Sequence, residues 1–216
     1  MPCQLDSYTP ARQRVIGLTG NIACGKSTVA NVLRELGAEV VDADVLSREA
    51  LAPSTAAFAA VVAEWGPGVL TRDGEIDRRR LGTTVFGDPT ALRKLESFVH
   101  PVVITAVKGA IASARGPLVV DAVKLIESGL ADLCDEVWVV TCPPKQQLAR
   151  LRARDGLSDA DALLRIRAQP PQSEKVAAAD VVIHNEGSLA DTRQQVRVAW
   201  VRAESEPDTE DDKGTE

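Results

Sequence analysis

Apolar residues follow two alternating rhythms along this chain. Short, valine-rich apolar runs recur at residues 15–18, 39–42, 118–121, 136–141 and 180–184. Runs of that length bounded by turn residues predict buried strands. Between them, apolar positions repeat at intervals of three and four. Val29, Val32, Leu33 and Leu36 follow the first run, and Phe58, Val61, Val62 and Trp65 stand at i, i+3, i+4, i+7. That spacing lines one face of a helix. Strands separated by helices predict an α/β fold, a five-stranded parallel sheet flanked by helices on both faces.

Start and stop signals set the remaining elements. Gly37 closes the first helix, a second begins near Val45, and a third spans 54–65 with Gly66 behind it. Asp73-Gly74 marks a turn, and Asp77 to Leu81 opens a short helix. Asp88-Pro89 is an N-cap followed by proline, starting a helix that carries Leu92, Leu95 and Val99 inward. His100-Pro101 is expected to end it, with a separate helix over 102–115. Further helices are predicted over 124–133 and 145–154. Ser158-x-x-Asp161 caps another, broken by Pro170-Pro171, and Ser188-x-x-Asp191 caps a last one reaching about 202.

One interval breaks the regularity. About 75 residues separate the second and third strands, whereas a simple crossover needs only about a dozen. Residues 45–115 are therefore expected to form an inserted helical lobe beside the edge where α/β sheets bind ligands. Such an insertion suits an acceptor-binding role.

Composition adds less. Hydrophobic residues make up 44% and aromatics 3%, so the core is mostly Val, Leu, Ile and Ala. The formal charge of −6 gathers in residues 203–216, leaving the body, 14–202, near neutral. That acidic tail is expected to be disordered, and residues 1–13 a loose extension. The first residues lack the apolar core of a signal peptide, and no run approaches membrane-spanning length. Cys3, Cys24, Cys134 and Cys142 match neither zinc nor C-x-x-C spacing, so free thiols in a reducing cytoplasm are expected, with Cys24 a passive small residue.

The chemistry centres on Gly20-Asn21-Ile22-Ala23-Cys24-Gly25-Lys26-Ser27-Thr28, a full match to G-x-x-x-x-G-K-[ST] between the first strand and the first helix. In that context backbone N–H groups and a helix N-terminus cradle phosphates. Lys26 is expected to reach the β- and γ-phosphates of ATP, and the Ser27 hydroxyl to bind Mg²⁺. Asp42 and Asp44 lie just past the second strand. Asp44 is the better candidate for a general base or metal-orienting carboxylate; Asp42 is its rival, or a helix cap. Asp121 ends Leu-Val-Val-Asp, as a Walker-B metal carboxylate does, or caps a helix. Arg150, Arg154, Arg165, Arg167 and Lys175 are candidates for a cationic lid over about 150–175. In the insertion, Arg78 suits a phosphorylated or acidic acceptor, while His100 reads more simply as a helix terminator. A guanine-reading Asn-Lys-x-Asp and aromatic–basic interleaving are both absent from the sequence, arguing against a GTP switch and against nucleic acid as partner. The residues alone predict a phosphate-loop kinase with an inserted lobe, leaving open a different nucleoside or nucleotide acceptor.

Several motifs in order narrow this further. Leu18 to Ser27, Val41-Asp-Ala-Asp44, Asp73-Gly-Glu-Ile-Asp-Arg78, His100-Pro101, Glu127, Gln147, Arg150, Arg154, Gln169 and Asn185 with Gly187-Ser188 together resemble the dephospho-CoA kinase family. The resemblance covers about residues 15–200. It implies transfer of the ATP γ-phosphate to the ribose 3′-hydroxyl of dephospho-CoA, a small-molecule substrate, with Mg²⁺. It also implies a nucleotide core, an acceptor lobe and a lid. By that likeness Lys26 holds phosphates, Asp44 is the base, Arg150 or Arg154 clamps phosphates, Asn185 and Gly187 line the adenine pocket, and His100 and Arg78 lie near the acceptor. Two positions depart from the family pattern. Asn21 stands where a second glycine is usual, and Asn tolerates positive φ. Lys124 stands where a proline is usual and is a candidate phosphate contact beside the acceptor.

Overall fold

The computed structural model describes residues 14–85 and 87–205. The N-terminal extension at 1–13 and the acidic tail from 206 onward lie outside them, while the first tail residues, 203–205, continue the last helix rather than being disordered. Five parallel strands, β1 (Val15–Thr19), β2 (Glu39–Asp42), β3 (Leu118–Asp121), β4 (Glu136–Thr141) and β5 (Val181–His184), form one sheet in the order β2-β3-β1-β4-β5. Register matters more here than order. Asp121 lies opposite Leu18 of β1 on one side and opposite Asp42 of β2 on the other. The phosphate loop therefore leaves β1 level with two carboxylates carried by neighbouring strands.

Alternation along the strands builds a core on each face. Ile16, Leu18, Trp138, Val140 and Ile183 pack against α1 (Lys26–Glu35) and α9 (Leu189–Ser205) through Val29, Leu33, Val196 and Trp200. Val15, Leu118, Val120 and Val139 pack on the other face against α5 (Pro89–Ser113) through Val99, Val103 and Val107. The helical insertion consists of α2 (Ala43–Glu49), α3 (Ala56–Trp65), α4 (Arg78–Val85) and α5. It has a small core of its own around Val61, Val69, Ile76, Leu81 and Val85, edged by an edge-to-face pair of Trp65 and Phe98.

The structure corrects two sequence expectations. His100-Pro101 does not end a helix: α5 runs unbroken for 25 residues with Pro101 inside it. An interior proline loses one hydrogen bond and costs about 3 kcal/mol. Leu95, Val99, Val103 and Val107 offset this by continuing one apolar stripe across the proline into two cores. By length and hydropathy α5 would span a membrane, but that stripe is spent on the sheet and on α2, α3 and α4.

Residues 124–133, expected to be helical, are mostly turn, with one 3-10 turn at Leu130–Leu133. The Val123 carbonyl, which a helix would need, instead accepts from Thr19 Oγ1 (3.1 Å) and Lys175 Nζ (2.8 Å). Gly129 then takes a left-handed φ of 76°. Beyond β4 come α6 (Pro144–Asp155), α7 (Asp159–Arg167), capped by Ser158 as expected, and a short α8 (Gln172–Ala177) that begins right after Pro170-Pro171 and carries no apolar period of its own.

Candidate active site

The loop from Gly20 to Ser27 is shaped by close approaches. Gly25 has φ of 96°, and a Cβ there would lie 1.9 Å from Asn185 Nδ2. A Cβ on Gly20 would lie 2.6 Å from the Val140 carbonyl oxygen. Ala23 takes a left-handed φ of 60°. Asn21, the departure from glycine, is buried, and its side chain donates to the Pro170 carbonyl at 3.0 Å.

Several amides clamp the loop from outside. Gln147 Nε2 donates to the Ile22 carbonyl (2.8 Å), the Ile22 N–H donates to Gln169 Oε1 (2.7 Å), and Asn185 Nδ2 donates to the Cys24 carbonyl (2.8 Å). Thr192 in turn donates to Asn185 Oδ1 at 2.9 Å, so both ends of that side chain are engaged. Asn185 thus underpins the loop. Beyond buried Asn185, the turn continues through Glu186 and Gly187, both exposed. Two buried polar atoms beside the loop, Asn21 Oδ1 and Arg150 Nη1, have no hydrogen-bond partner among the described residues. Such atoms mark places for a polar occupant.

Lys26 Nζ pairs with the Asp121 carboxylate. Ser27, the second residue of α1, is exposed. Burial lifts the Asp121 carboxyl above the usual carboxylate range; Lys26 pulls it back down, and the charges of Asp42 and Asp44 push it up. Asp44 faces solvent on one side, but the packed cleft floor strips water from its other side. That desolvation raises it above the usual range, with Asp42 adding to the effect and Lys26 and Arg48 opposing it. Asp42 uses Oδ1 to cap α2, accepting from the N–H groups of Asp44 (2.9 Å) and Val45 (3.0 Å).

The carboxylate of Asp121, beside Lys26 and near the charges of Asp42 and Asp44, is an oxygen donor that a divalent cation would neutralise. Hard oxygens suit Mg²⁺, which is usually held by one or two protein groups together with substrate phosphates. Ser27 and Asp121 fit that role. No cluster of three or more His, Cys, Asp or Glu side chains among the described residues forms a protein-only metal cage.

Asp44 also lines a cavity between α2, α5 and the turn after β3, with Ser47, His100, Ile104 and Lys124 on its walls. His100 therefore faces the expected acceptor space rather than ending a helix. Lys124 stands at its edge, held by Glu96 at 2.6 Å. Arg78 is not among the lining residues. It is exposed, 3.4 Å from the Arg48 carbonyl, and Arg48 Nε donates to the Asp44 carbonyl (3.1 Å).

The lid cations separate. Arg150 approaches the loop and donates to the Asn185 carbonyl at 2.9 Å. Arg154 does not reach the loop: its side chain is 57% exposed and pairs with Asp155, which also holds Arg165, at the α6–α7 corner. Lys175 is no lid cation either. It is only 3% exposed and bonds the Val123 carbonyl and Glu127 (2.8 Å) beneath the β3 exit. Gln147 and Lys175 are supports, of which the residue pattern could have flagged the first. Gln147 stands one turn before buried Leu151 on the inward face of α6, whereas Lys175 is the one buried residue of α8.

Residues 14–191 match the family model described as dephospho-CoA kinase. A Gloeobacter violaceus protein named dephospho-CoA kinase is 46% identical over 191 residues, covering 88% of this chain and 93% of that protein. A solved structure from Thermus thermophilus superposes with a TM-score of 0.77 at 33% identity, covering 90% of this chain and 99% of that one. The solved dephospho-CoA kinase of Campylobacter jejuni does so with a TM-score of 0.65 at 29% identity, covering 88% and 96%. The chain belongs to the dephospho-CoA kinase family.

Proposed function

We propose that this enzyme transfers the γ-phosphate of ATP to the ribose 3′-hydroxyl of dephospho-CoA, releasing coenzyme A and ADP, and that it acts in the cytoplasm. One observation carries the reading. Lys26 and the carboxylates of Asp121 and Asp44 gather at one sheet edge, and Asp44 continues from there into the cavity of the helical insertion.

Phosphoryl transfer is largely a matter of positioning and charge stabilisation. In this reading the loop amides and Lys26 hold the terminal phosphates, and Arg150 adds positive charge from above. Ser27 and Asp121 would hold Mg²⁺, which when bound shields the phosphate charge. Residues 45–115 seat the acceptor between His100 and Lys124. Asp44 orients the acceptor hydroxyl and takes its proton as the oxygen attacks. Asp42 fixes the first turn of α2, and so the direction of Asp44, through its cap. A Lys124 freed from Glu96 would meet an acceptor phosphate. Arg78 guards the outer rim, and Arg154 approaches only if the segment 150–175 folds over the nucleotide. The Asn185–Gly187 turn borders the adenine.

The test is direct. The purified chain is incubated with ATP, Mg²⁺ and a panel of hydroxyl acceptors, and products are read by mass spectrometry. One added phosphate on dephospho-CoA alone supports the proposal; phosphorylation of nucleoside monophosphates instead overturns it.

A further inference from the structure

Cys24 and Cys142 are 118 residues apart in sequence, yet their sulfurs lie 3.3 Å from one another. Cys24 is inside the phosphate loop and fully buried. Cys142 is the first residue after β4 and is only 5% exposed. It lines a shallow groove together with Pro143, Gln172, Val176 and His184. Gln172 Oε1 draws the two together, accepting from Cys24 Sγ (3.3 Å) and from the Cys142 N–H (3.4 Å). The sulfurs are thus in contact, and Cys142 is the member of the pair that lies beside the groove.

We propose that Cys24 and Cys142 form a peroxide-oxidisable thiol pair whose disulfide distorts the phosphate loop and blocks nucleotide binding. Cys142 is the attacking thiol. Contact with Cys24 and the Arg150 guanidinium lower the pKa of Cys142, against the opposing effect of burial, whereas contact with Cys142 and burial raise that of Cys24. A thiolate is the reactive form.

In the first step Cys142 Sγ attacks one oxygen of hydrogen peroxide. An S–O bond forms, the O–O bond breaks, and hydroxide leaves to become water, giving a sulfenic acid. In the second, Cys24 Sγ attacks Cys142 Sγ. An S–S bond forms, the S–O bond breaks, and the departing hydroxide takes the Cys24 proton as water. Two thiols lose two electrons and one peroxide becomes two waters. A thiol reductant reverses the change.

Closing the bond brings the sulfurs from 3.3 Å to about 2.0 Å. Cys24 is bonded to Gly25, whose φ of 96° sets the direction of the amides that follow. A displacement of about 1 Å in a catalytic site costs on the order of 100-fold in rate, and here it falls on the loop that would hold the nucleotide. The loss of nucleotide binding rests on the reading of this loop as the ATP site; formation of the disulfide does not.

The test uses the full chain. Reduced protein is treated with hydrogen peroxide, free thiols are alkylated, and a non-reducing digest is examined by mass spectrometry, with ATP affinity measured in parallel by thermal shift. A Cys24–Cys142 link is expected in wild type and in Cys134→Ser and not in Cys142→Ser. Oxidised protein is expected to lose most of its ATP-induced thermal shift, restored by dithiothreitol. Cys142→Ser, or Cys142→Ala if serine unsettles the fold, is expected to keep its ATP affinity within about twofold after the same dose. The proposal is overturned if no such link forms at doses that oxidise Cys134, if linked protein binds ATP normally, or if Cys142→Ser loses affinity as wild type does. Reduced protein that binds ATP without phosphorylating dephospho-CoA would sink the proposed function and leave this inference standing.

Discussion

At Gly25 two separate constraints coincide, a left-handed φ and the side-chain amide of Asn185 where a Cβ would go. A left-handed alanine costs about 1–2 kcal/mol, and it would also displace Asn185 from Cys24 and Thr192. Gly25→Ala is expected to lower the melting temperature by about 5–10 °C, since about 1 kcal/mol moves a domain of this size by 2–4 °C. ATP affinity is expected to fall with it, both read by thermal shift with and without nucleotide.

Asp44 works through charge rather than shape. Removing a general base costs about 10²–10⁴-fold, so Asp44→Asn is expected to lose that much in kcat with ATP affinity changed less than about twofold. Because burial raises its carboxyl, the acid limb of kcat/KM should lie above the ordinary carboxylate value near 4 and vanish in the variant. The sign for stability is the reverse of that for activity. Between the unfolded and folded pKa values the folded state holds a proton that the unfolded state has released, so stability is lost as pH rises through that window. Asp44→Asn should therefore melt no lower than wild type at pH 7, with any gain disappearing below about pH 4. A variant that melts lower at pH 7 would refute this account of Asp44.

Among elements, the turn after β3 shows tertiary contacts overruling local preference. Residues 124–133 carry enough helix-forming character to predict a helix, but the Val123 carbonyl is taken by Thr19 and Lys175. Lys175→Ala would leave Glu127 and that carbonyl short of a cation. The expected cost is about 2–3 kcal/mol, a fall of about 4–12 °C in melting temperature. Lys175→Arg should recover part of it, since the charge remains but the larger fork fits the buried site poorly. A calorimetric scan of the two variants distinguishes charge from packing. In α5 the local rule at Pro101 gave way for a different reason, a single apolar stripe shared by two cores.

For the whole molecule, nucleotide binding and folding are linked, because the loop is held by segments from four places along the chain, at Val140, Gln147, Gln169 and Asn185. A ligand at about 100 times its dissociation constant adds about 2.7 kcal/mol, or about 5–11 °C here. Lys26→Ala is expected to abolish most of that shift, and also to lower the unliganded melting temperature, because buried Asp121 loses its partner. An undiminished shift in that variant would remove Lys26 from the phosphate site.

The sequence by itself determined what depends on neighbours along the chain: the strand and helix rhythm, the caps at Asp88 and Ser158, the glycines of the phosphate loop, and the long interval that becomes the helical insertion. These are set by period, backbone freedom and local hydrogen bonding, all of which act over a few residues. Only the tertiary structure decided that Asp42 and Asp121 stand level across paired strands, that Arg150 meets the loop while Arg154 turns away, that Lys175 is buried, and that Cys24 touches Cys142. Those contacts join residues tens to more than a hundred positions apart, or depend on which way a side chain leaves its helix. Strand order, register and packing fix them, and no local pattern encodes those.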